Sequence, residues 1–233
     1  MPFLKRSFEN PILVPESDLP WEAEGAFNGS AIRSKGKTHL LYRAQSLPLL
    51  HEEGPWLSLA SIGHTTSTDG IHFKKHVPVL SPELHWERFG CEDPRVTEFE
   101  GAYYVFYTAL SEFPFRAEGI TVGLGITKNF RQFEKHHITP FNAKAMTMFP
   151  ERINGKIWTL LSVNTDRPPA TIALASFDTV EQMWDETYWK AWYETLPEQS
   201  FELQRQERDH IEIGAPPIKT KAGWLLLYSY IQN

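Results

Sequence analysis

Cysteine is nearly missing from this chain of 233 residues, where Cys91 stands alone. One thiol cannot build an internal disulfide framework, and by itself it cannot make a cysteine-based zinc site. That suits a reducing compartment. Long apolar runs are missing as well. No stretch reaches about 18 apolar residues, and the start, Met1-Pro2-Phe3-Leu4-Lys5-Arg6, lacks the apolar core of a signal peptide. The expectation is a soluble, cytoplasmic protein with no membrane partner. Positive charge is in deficit: 23 Lys and Arg face 29 Asp and Glu, for a net charge of -6. Nothing electrostatic therefore points to a nucleic-acid partner. Low-complexity segments and clear linkers are also lacking, so residues 1–233 read as one domain with room for a substantial core.

What the chain does have is aromatic residues and a repeat. Aromatics make up 13% of it, with eight tryptophans. Such rings line sugar sites, but all-β cores are rich in them too, so composition favours neither. The repeat is more informative. Glycines at 36, 101, 155 and 223 each precede an apolar, aromatic-bearing run: Thr38–Ala44, Ala102–Ala109, Ile157–Val163 and Trp224–Ser229. Each reads as a tight turn feeding a strand. A second set follows, in which Ser58–Gly63, Thr121–Ile126 and Thr171–Ala175 lead to Ser67–Phe73, Thr127–Phe133 and Ser176–Asp178. A unit of roughly 50–70 residues and about four antiparallel strands fits a β-propeller blade. A β-sandwich explains the strands but not their ordered recurrence. The region from Glu181 to Asp209 fits either a short amphipathic helix between blades or a strand with a long insertion.

In a propeller, comparable positions of successive blades meet near the central axis. The stretches ahead of the four glycine turns are polar: Phe27-Asn28-Gly29-Ser30, Glu92-Asp93-Pro94-Arg95, Phe149-Pro150-Glu151-Arg152 and His210-Ile211-Glu212-Ile213. Proline biases Asp93 toward an extended backbone, and adjacent residues of an extended segment project in different directions. One acid would then face a pocket while the other braces a neighbour. An axial ring of amide, carboxylates and guanidinium suits glycosidic chemistry, which needs one acid to protonate the leaving oxygen and further groups to hold hydroxyls. Other signals are bland. His136-His137 cannot chelate jointly from opposite faces of a strand, so neither a metal nor a cofactor is expected. The glycines from Gly119 to Gly125 read as a strand turn, and Cys91 as a small packed residue.

With those residues in hand, the chain resembles glycoside hydrolase family 130, the β-mannoside phosphorylases and β-mannosidases built on a five-bladed propeller. The matching residues are Asn10-Pro11-Ile12, Trp21-Glu22, Phe27-Asn28, Leu41–Ala44, Ser67–Phe73, Gly90–Val96, Phe149–Lys156 and Gly214–Ile218. The resemblance implies an enzyme that cleaves β-mannosides with inversion. It implies Asp93 as catalytic acid, working through a hydroxyl of the bound mannose. It places Asn28, Arg43, Arg95 and Glu151 around the sugar and Lys144 near the phosphate or water position. The implied partners are a β-mannoside oligosaccharide and, for a phosphorylase, inorganic phosphate; a homo-oligomer stays open.

Two departures bear on the reaction. The family's Tyr-His-Gly run, whose histidine contacts phosphate, reads Tyr228-Ser229-Tyr230 here, and Thr121-Val122 brings no arginine nearby. One lysine and a hydroxyl bind a dianion weakly, which leans the expectation toward hydrolysis, with Glu151 and Glu212 as candidate general bases. The chain also stops at Asn233, about three and a half blades into such a propeller. The expectation is an incomplete all-β propeller lacking C-terminal blade sequence, with an unpaired edge at Leu225–Tyr228. The alternatives are a propeller glycosidase acting on arabinose- or fructose-containing glycans, and a short form that only binds carbohydrate.

Overall fold

A computed structural model describes residues 5–51, 56–206 and 209–232. Met1 to Leu4 of the start read above, residues 207–208 of the region from Glu181 to Asp209, and the last residue, Asn233, lie outside it. The fold is predominantly strand, in four consecutive antiparallel units. The first contains β1 (Gly25–Ser34), β2 (Lys37–Gln45), a small hairpin of β3 (Leu49–Leu50) and β4 (Trp56–Leu57), then β5 (Ala60–Ser67) and β6 (Lys74–Leu80). The second contains β7 (Gly90–Phe99), β8 (Ala102–Leu110), β9 (Ile120–Thr127) and β10 (Glu134–His137). A single parallel pair, Ala60 with Gly90, joins these two units into one eight-stranded sheet. The third contains β11 (Ala143–Met148), β12 (Ile157–Val163) and β13 (Thr171–Phe177). The fourth contains β14 (His210–Ile213), β15 (Ile218–Thr220), β16 (Gly223–Leu225) and β17 (Tyr228–Ile231).

The first three glycine turns are two-residue hairpins in which both central residues have positive φ: Lys35-Gly36, Glu100-Gly101 and Asn154-Gly155. That geometry matches the twist of the flanking strands, and glycine adopts it without steric cost. The fourth differs from expectation. Gly223 already belongs to β16, paired with Thr220 around Lys221-Ala222. The run after it does not form one strand, because the chain leaves β15 at Leu226-Leu227 and joins β14. The Leu227 carbonyl accepts from the Gly214 N–H (2.9 Å), which anchors that change of partner. Likewise Gly123 and Gly125 lie inside β9 and are not turn residues.

Side-chain alternation decides how the units stack. Along β8, Tyr103, Val105 and Tyr107 enter one core with Leu41, Ile62 and Leu80 of the first unit. Tyr104 and Phe106 enter another with Met146, Leu161 and Phe177 of the third. A third core joins Leu160 and Ile172 to Ile211 and Ile213 of the fourth unit. β8 is therefore buried along its whole length, and each apolar layer lies between consecutive units.

The uncertain region 181–209 contains helix rather than an inserted strand: α1 (Glu186–Glu194) and α2 (Leu196–Gln199). Asp185 caps α1, accepting from the Thr187 and Tyr188 N–H groups (2.8 and 3.4 Å). Trp189 and Trp192 bury themselves against the third unit.

Candidate active site

The first strand of each of the first three units carries the same irregularity. Register shifts fall between Phe27 and Ser30, between Glu92 and Arg95, and between Lys144 and Thr147. Inside each, one residue takes left-handed backbone: Asn28 (φ 50), Asp93 (φ 52) and Ala145 (φ 53). Asn and Asp tolerate this conformation better than most residues. Asp93 thus departs from the extended backbone expected before proline. The bulge also cancels strict alternation, so neighbouring side chains reach common ground.

Glu92 and Asp93 demonstrate this. Instead of facing apart, both meet Arg43: Glu92 Oε1 lies 2.7 Å and Asp93 Oδ1 3.7 Å from its guanidinium. Asn28 Nδ2 donates to Asp93 Oδ1 (2.8 Å), which joins the bulges of the first two units. Burial pushes the Glu92 carboxyl up to about 7, with Asp93 acting in the same direction and Arg43 and Lys144 against it. Lys144 Nζ lies 3.1 Å from Asp166 Oδ1. Burial alone would raise Asp166, but bonds from Asn142, Thr165 and Lys144 carry its pKa below the usual range. Arg43 thus pairs directly with the weak acid Glu92, and the charge of Lys144 acts on it as well.

A cavity of about 450 Å³ opens beside this cluster, lined by Asn28, Asp93, Arg95, Glu212 and Ser229 among others. Arg95 frames it more than it reaches into it. Its guanidinium donates to the carbonyls of Asp93 (2.9 Å) and Ile213 (2.7 Å), tying the second unit to the fourth. Burial lowers its pKa, opposed by the charges of Asp93 and Glu212. Glu212 Oε1 accepts from His210 Nε2 (3.0 Å), and Glu212 pairs in register with Ser229.

The structure therefore brings together Asn28, Arg43 and Asp93, with the charge of Lys144 reaching Glu92; Asn28, Asp93, Arg95 and Glu212 line the cavity, and Arg43 and Lys144 stand outside its lining. It does not bring Glu151 there. Glu151 is exposed, bonded to Lys219, and outside the cavity lining. Ala145, not Glu151, occupies the bulge of the third unit. Two site residues lacked an assigned role in the sequence. Glu92 stood in view beside Asp93, but alternation seemed to turn it away. Asp166 carries no motif, and only the fold puts it beside Lys144. His136 and His137 stack on Trp184 and Trp86 respectively, as single rings on different partners. No cluster of three or more His, Cys, Asp or Glu suited to a metal ion occurs among the described residues, and none of their helices is long and apolar enough to cross a membrane.

The model of glycoside hydrolase family 130, described as β-1,4-mannooligosaccharide phosphorylase, matches residues 7–232. A 1,2-β-oligomannan phosphorylase of Thermoanaerobacter sp. (strain X514) is 34% identical over 227 residues, spanning 97% of this chain and 71% of the relative. A β-1,2-mannobiose phosphorylase of the same organism is 31% identical over 239 residues, 99% of this chain and 73% of the relative. The solved β-1,2-mannobiose phosphorylase of Listeria innocua, in complex with β-1,2-mannobiose, superposes with a TM-score of 0.75 at 26% identity, over 96% of this chain and 74% of that one.

Proposed function

This chain belongs to glycoside hydrolase family 130, and from that premise we propose that it is a phosphorylase of β-1,2-linked mannosides. The observation that carries the reading is the pair of cations, Arg43 and Lys144, whose charges act on Glu92 beside Asp93. The sequence leaned toward hydrolysis because one lysine holds a dianion weakly. The fold supplies Arg43 as a second cation, and the two curated relatives are both named phosphorylases of β-1,2-mannosides. Convergent cations of this kind suit phosphate far better than water.

In this reading Asp93 is the acid. Phosphate attacks the anomeric carbon of the terminal mannose from the face opposite the leaving sugar. The carbon–oxygen bond to that sugar breaks, and the leaving oxygen takes the proton that Asp93 supplies through a mannose hydroxyl. The products are α-mannose 1-phosphate and the shortened mannoside. Asn28 and Arg43 fix the Asp93 carboxyl, and Arg95 holds the bulge that presents it. The four units serve as consecutive propeller blades of a single domain, with the cavity on their common axis.

The test incubates the protein with β-1,2-mannobiose or β-1,4-mannobiose, with and without phosphate, and follows products by NMR. Mannose 1-phosphate formed from the β-1,2 isomer in proportion to phosphate is expected. Free mannose at a rate indifferent to phosphate would overturn it and turn attention to Glu212 as a base for water. The Asp93→Asn variant should fold normally and lose about 10²–10⁴-fold in kcat.

A further inference from the structure

The turns that follow β5 in the first unit and β9 in the second are one backbone structure built from different residues. In the first, Ser67 Oγ accepts from the N–H groups of Asp69 and Gly70 (3.2 and 2.9 Å), and Asp69 Oδ1 from those of Ile71 and His72 (both 2.9 Å). In the second, Thr127 Oγ1 accepts from Asn129 and Phe130 (3.2 and 3.1 Å), and Asn129 Oδ1 from Arg131 and Gln132 (2.9 and 3.2 Å). Position by position, Lys128 stands for Thr68, Asn129 for Asp69, Phe130 for Gly70 and Arg131 for Ile71. Phe130 even keeps the left-handed backbone of its glycine counterpart, with φ 57 against 79, where a bulky residue is disfavoured. Closure of the turn requires none of these replacements, because the sister turn closes without them. Together they remove a carboxylate, add two cations and install a ring.

The Phe130 ring packs against His39 (4.5 Å), His64 (5.0 Å) and Tyr103 (4.3 Å). With Ser34 it lines a cavity of about 250 Å³ between this turn and the Lys35-Gly36 turn. Lys35, Lys128 and Arg131 line the same cavity and are exposed. None of the three has an ion-pair partner among the described residues. The neighbouring hollow adds Lys37, Lys74 and Lys75 against the lone carboxylate Asp69. The residues lining the two hollows thus include six cations and one carboxylate, in a chain whose net charge is -6. Such a concentration of one sign over a hollow attracts the opposite sign.

We propose that this cavity is a second ligand site, distinct from the candidate active site, and that it takes a small phosphomonoester on a ring, such as a sugar phosphate. Lys35, Lys128 and the planar fork of Arg131 meet the dianion. Phe130 and Tyr103, only 3% and 6% exposed, form the floor of the cavity beneath the attached ring, with the Ser34 hydroxyl bonded to that of Tyr103 (2.5 Å) at its side. The cavity falls below the about 300–1,000 Å³ of sites for drug-sized ligands, so it admits one small molecule and not a glycan chain. Six residues of strand separate Ser34 from Asn28, about 20 Å, so the two sites fill independently. The inference stands on this geometry whether or not the chain is a phosphorylase.

The test is an NMR titration of the whole protein with inorganic phosphate and, separately, with a hexose 1-phosphate, at matched ionic strength. Expected are saturable shifts at the amides of Lys35, Lys128 and Arg131, with a Kd of about 1–10 mM or tighter. His39 gives a second signal. Burial, then Lys37 and Lys35, hold its pKa below the ordinary value, and a bound dianion should raise it. Both signals should vanish in Lys128→Ala/Arg131→Ala and persist in Lys144→Ala. If the double variant melts early, Lys35→Ala takes its place. Affinity for the hexose phosphate at least about fivefold above that for phosphate supports the ring on Phe130, and equal affinities overturn that part. Shifts that do not saturate, or that chloride reproduces, overturn the site altogether.

Discussion

Glu92 is the residue whose environment most exceeds what its place in the chain announces. In the folded state its carboxyl is pushed up to about 7, first by burial, from an ordinary value of 4.5. Below about pH 4.5 the group is neutral folded and unfolded, and it contributes nothing to the pH dependence. As pH rises from there toward 7, the unfolded chain gives up this proton more readily than the folded one, so stability falls; above 7 the penalty is complete. At about 1.4 kcal/mol per pKa unit, the penalty is on the order of 3 kcal/mol. Glu92→Gln, which keeps the shape of the neutral form, should therefore match the wild type near pH 4.5 and exceed it by about 2–3 kcal/mol at pH 8. Denaturant melts at the two pH values check this; equal pH slopes would show that Arg43 already neutralises the group. The same proton bears on phosphate. A dianion beside Arg43 and Lys144 favours protonated Glu92, so affinity for phosphate should drop above pH 7 in the wild type more steeply than in Glu92→Gln. Asp93, Asn28 and Arg43 were legible in the sequence because they sit in compact motifs. Glu92 was hidden by an alternation that the bulge abolishes, and Glu151, named by the motif it sits in, stands outside the cavity lining.

At the scale of elements, the duplication runs deeper than the turns and strands that announced it. Glu22 and Glu87 are fully buried, each 20 residues ahead of a buried tyrosine on the second strand of its unit. Tyr42 donates to Glu22 and Tyr107 to Glu87, each at 2.5 Å. A group from the fourth strand completes each set: His76 at 2.7 Å from Glu22, and Lys135 at 2.6 Å from Glu87. Trp21 and Trp86 lie against the two tyrosine rings. A glycine leaves space for each ring, since a Cβ at Gly63 or Gly123 would stand 2.4 or 2.5 Å from it. These sets lie directly behind the site. Tyr42 faces the Asn28-Gly29 bulge and Tyr107 the Asp93-Pro94 bulge, by the register on either side. Tyr107→Phe removes a donor from a buried carboxylate and should cost about 1–3 kcal/mol. Gly123→Ala forces the ring itself to move, at a similar cost of about 1–3 kcal/mol. Because it displaces the ring behind Asp93, it should lower kcat further than Tyr107→Phe at matched temperature below the melt. Equal kcat values in the two variants would show that the bulge holds its shape without the ring. Strand order and turns were legible because glycine and β-branched or aromatic runs mark them locally. The Glu–Tyr–His and Glu–Tyr–Lys sets were not, since they join positions up to 54 residues apart (Glu22 with His76).

For the whole molecule, the decisive feature is that the apolar layers lie between units, so an end unit has only one covered face. The fourth unit shows the consequence. Ile218, Leu225, Leu227, Tyr228, Tyr230 and Ile231 are each at least 40% exposed, whereas β8, packed on both sides, is buried throughout. β17 pairs with β14 alone among the described residues, which leaves a row of backbone donors and acceptors open to another strand. The edge expected at Leu225–Tyr228 thus falls a few residues later, on Tyr228–Ile231, because the chain changes partner at Leu226-Leu227. An apolar face and an open edge together favour association, so the chain of 26.9 kDa should exceed its monomer mass in light scattering at micromolar concentration. Lysine blunts strand edges by charge and hydration, and Leu227→Lys with Ile231→Lys should return the chain to monomer. Neither substitution touches the core between the first three units, so the main melting transition should survive. A wild-type chain that scatters as a monomer would mean that the exposed face is too small or too mobile to hold a second copy. A doubly substituted chain that still associates would place the contact elsewhere, and the exposed hairpin of Leu49, Leu50 and Trp56 would be the next surface to change.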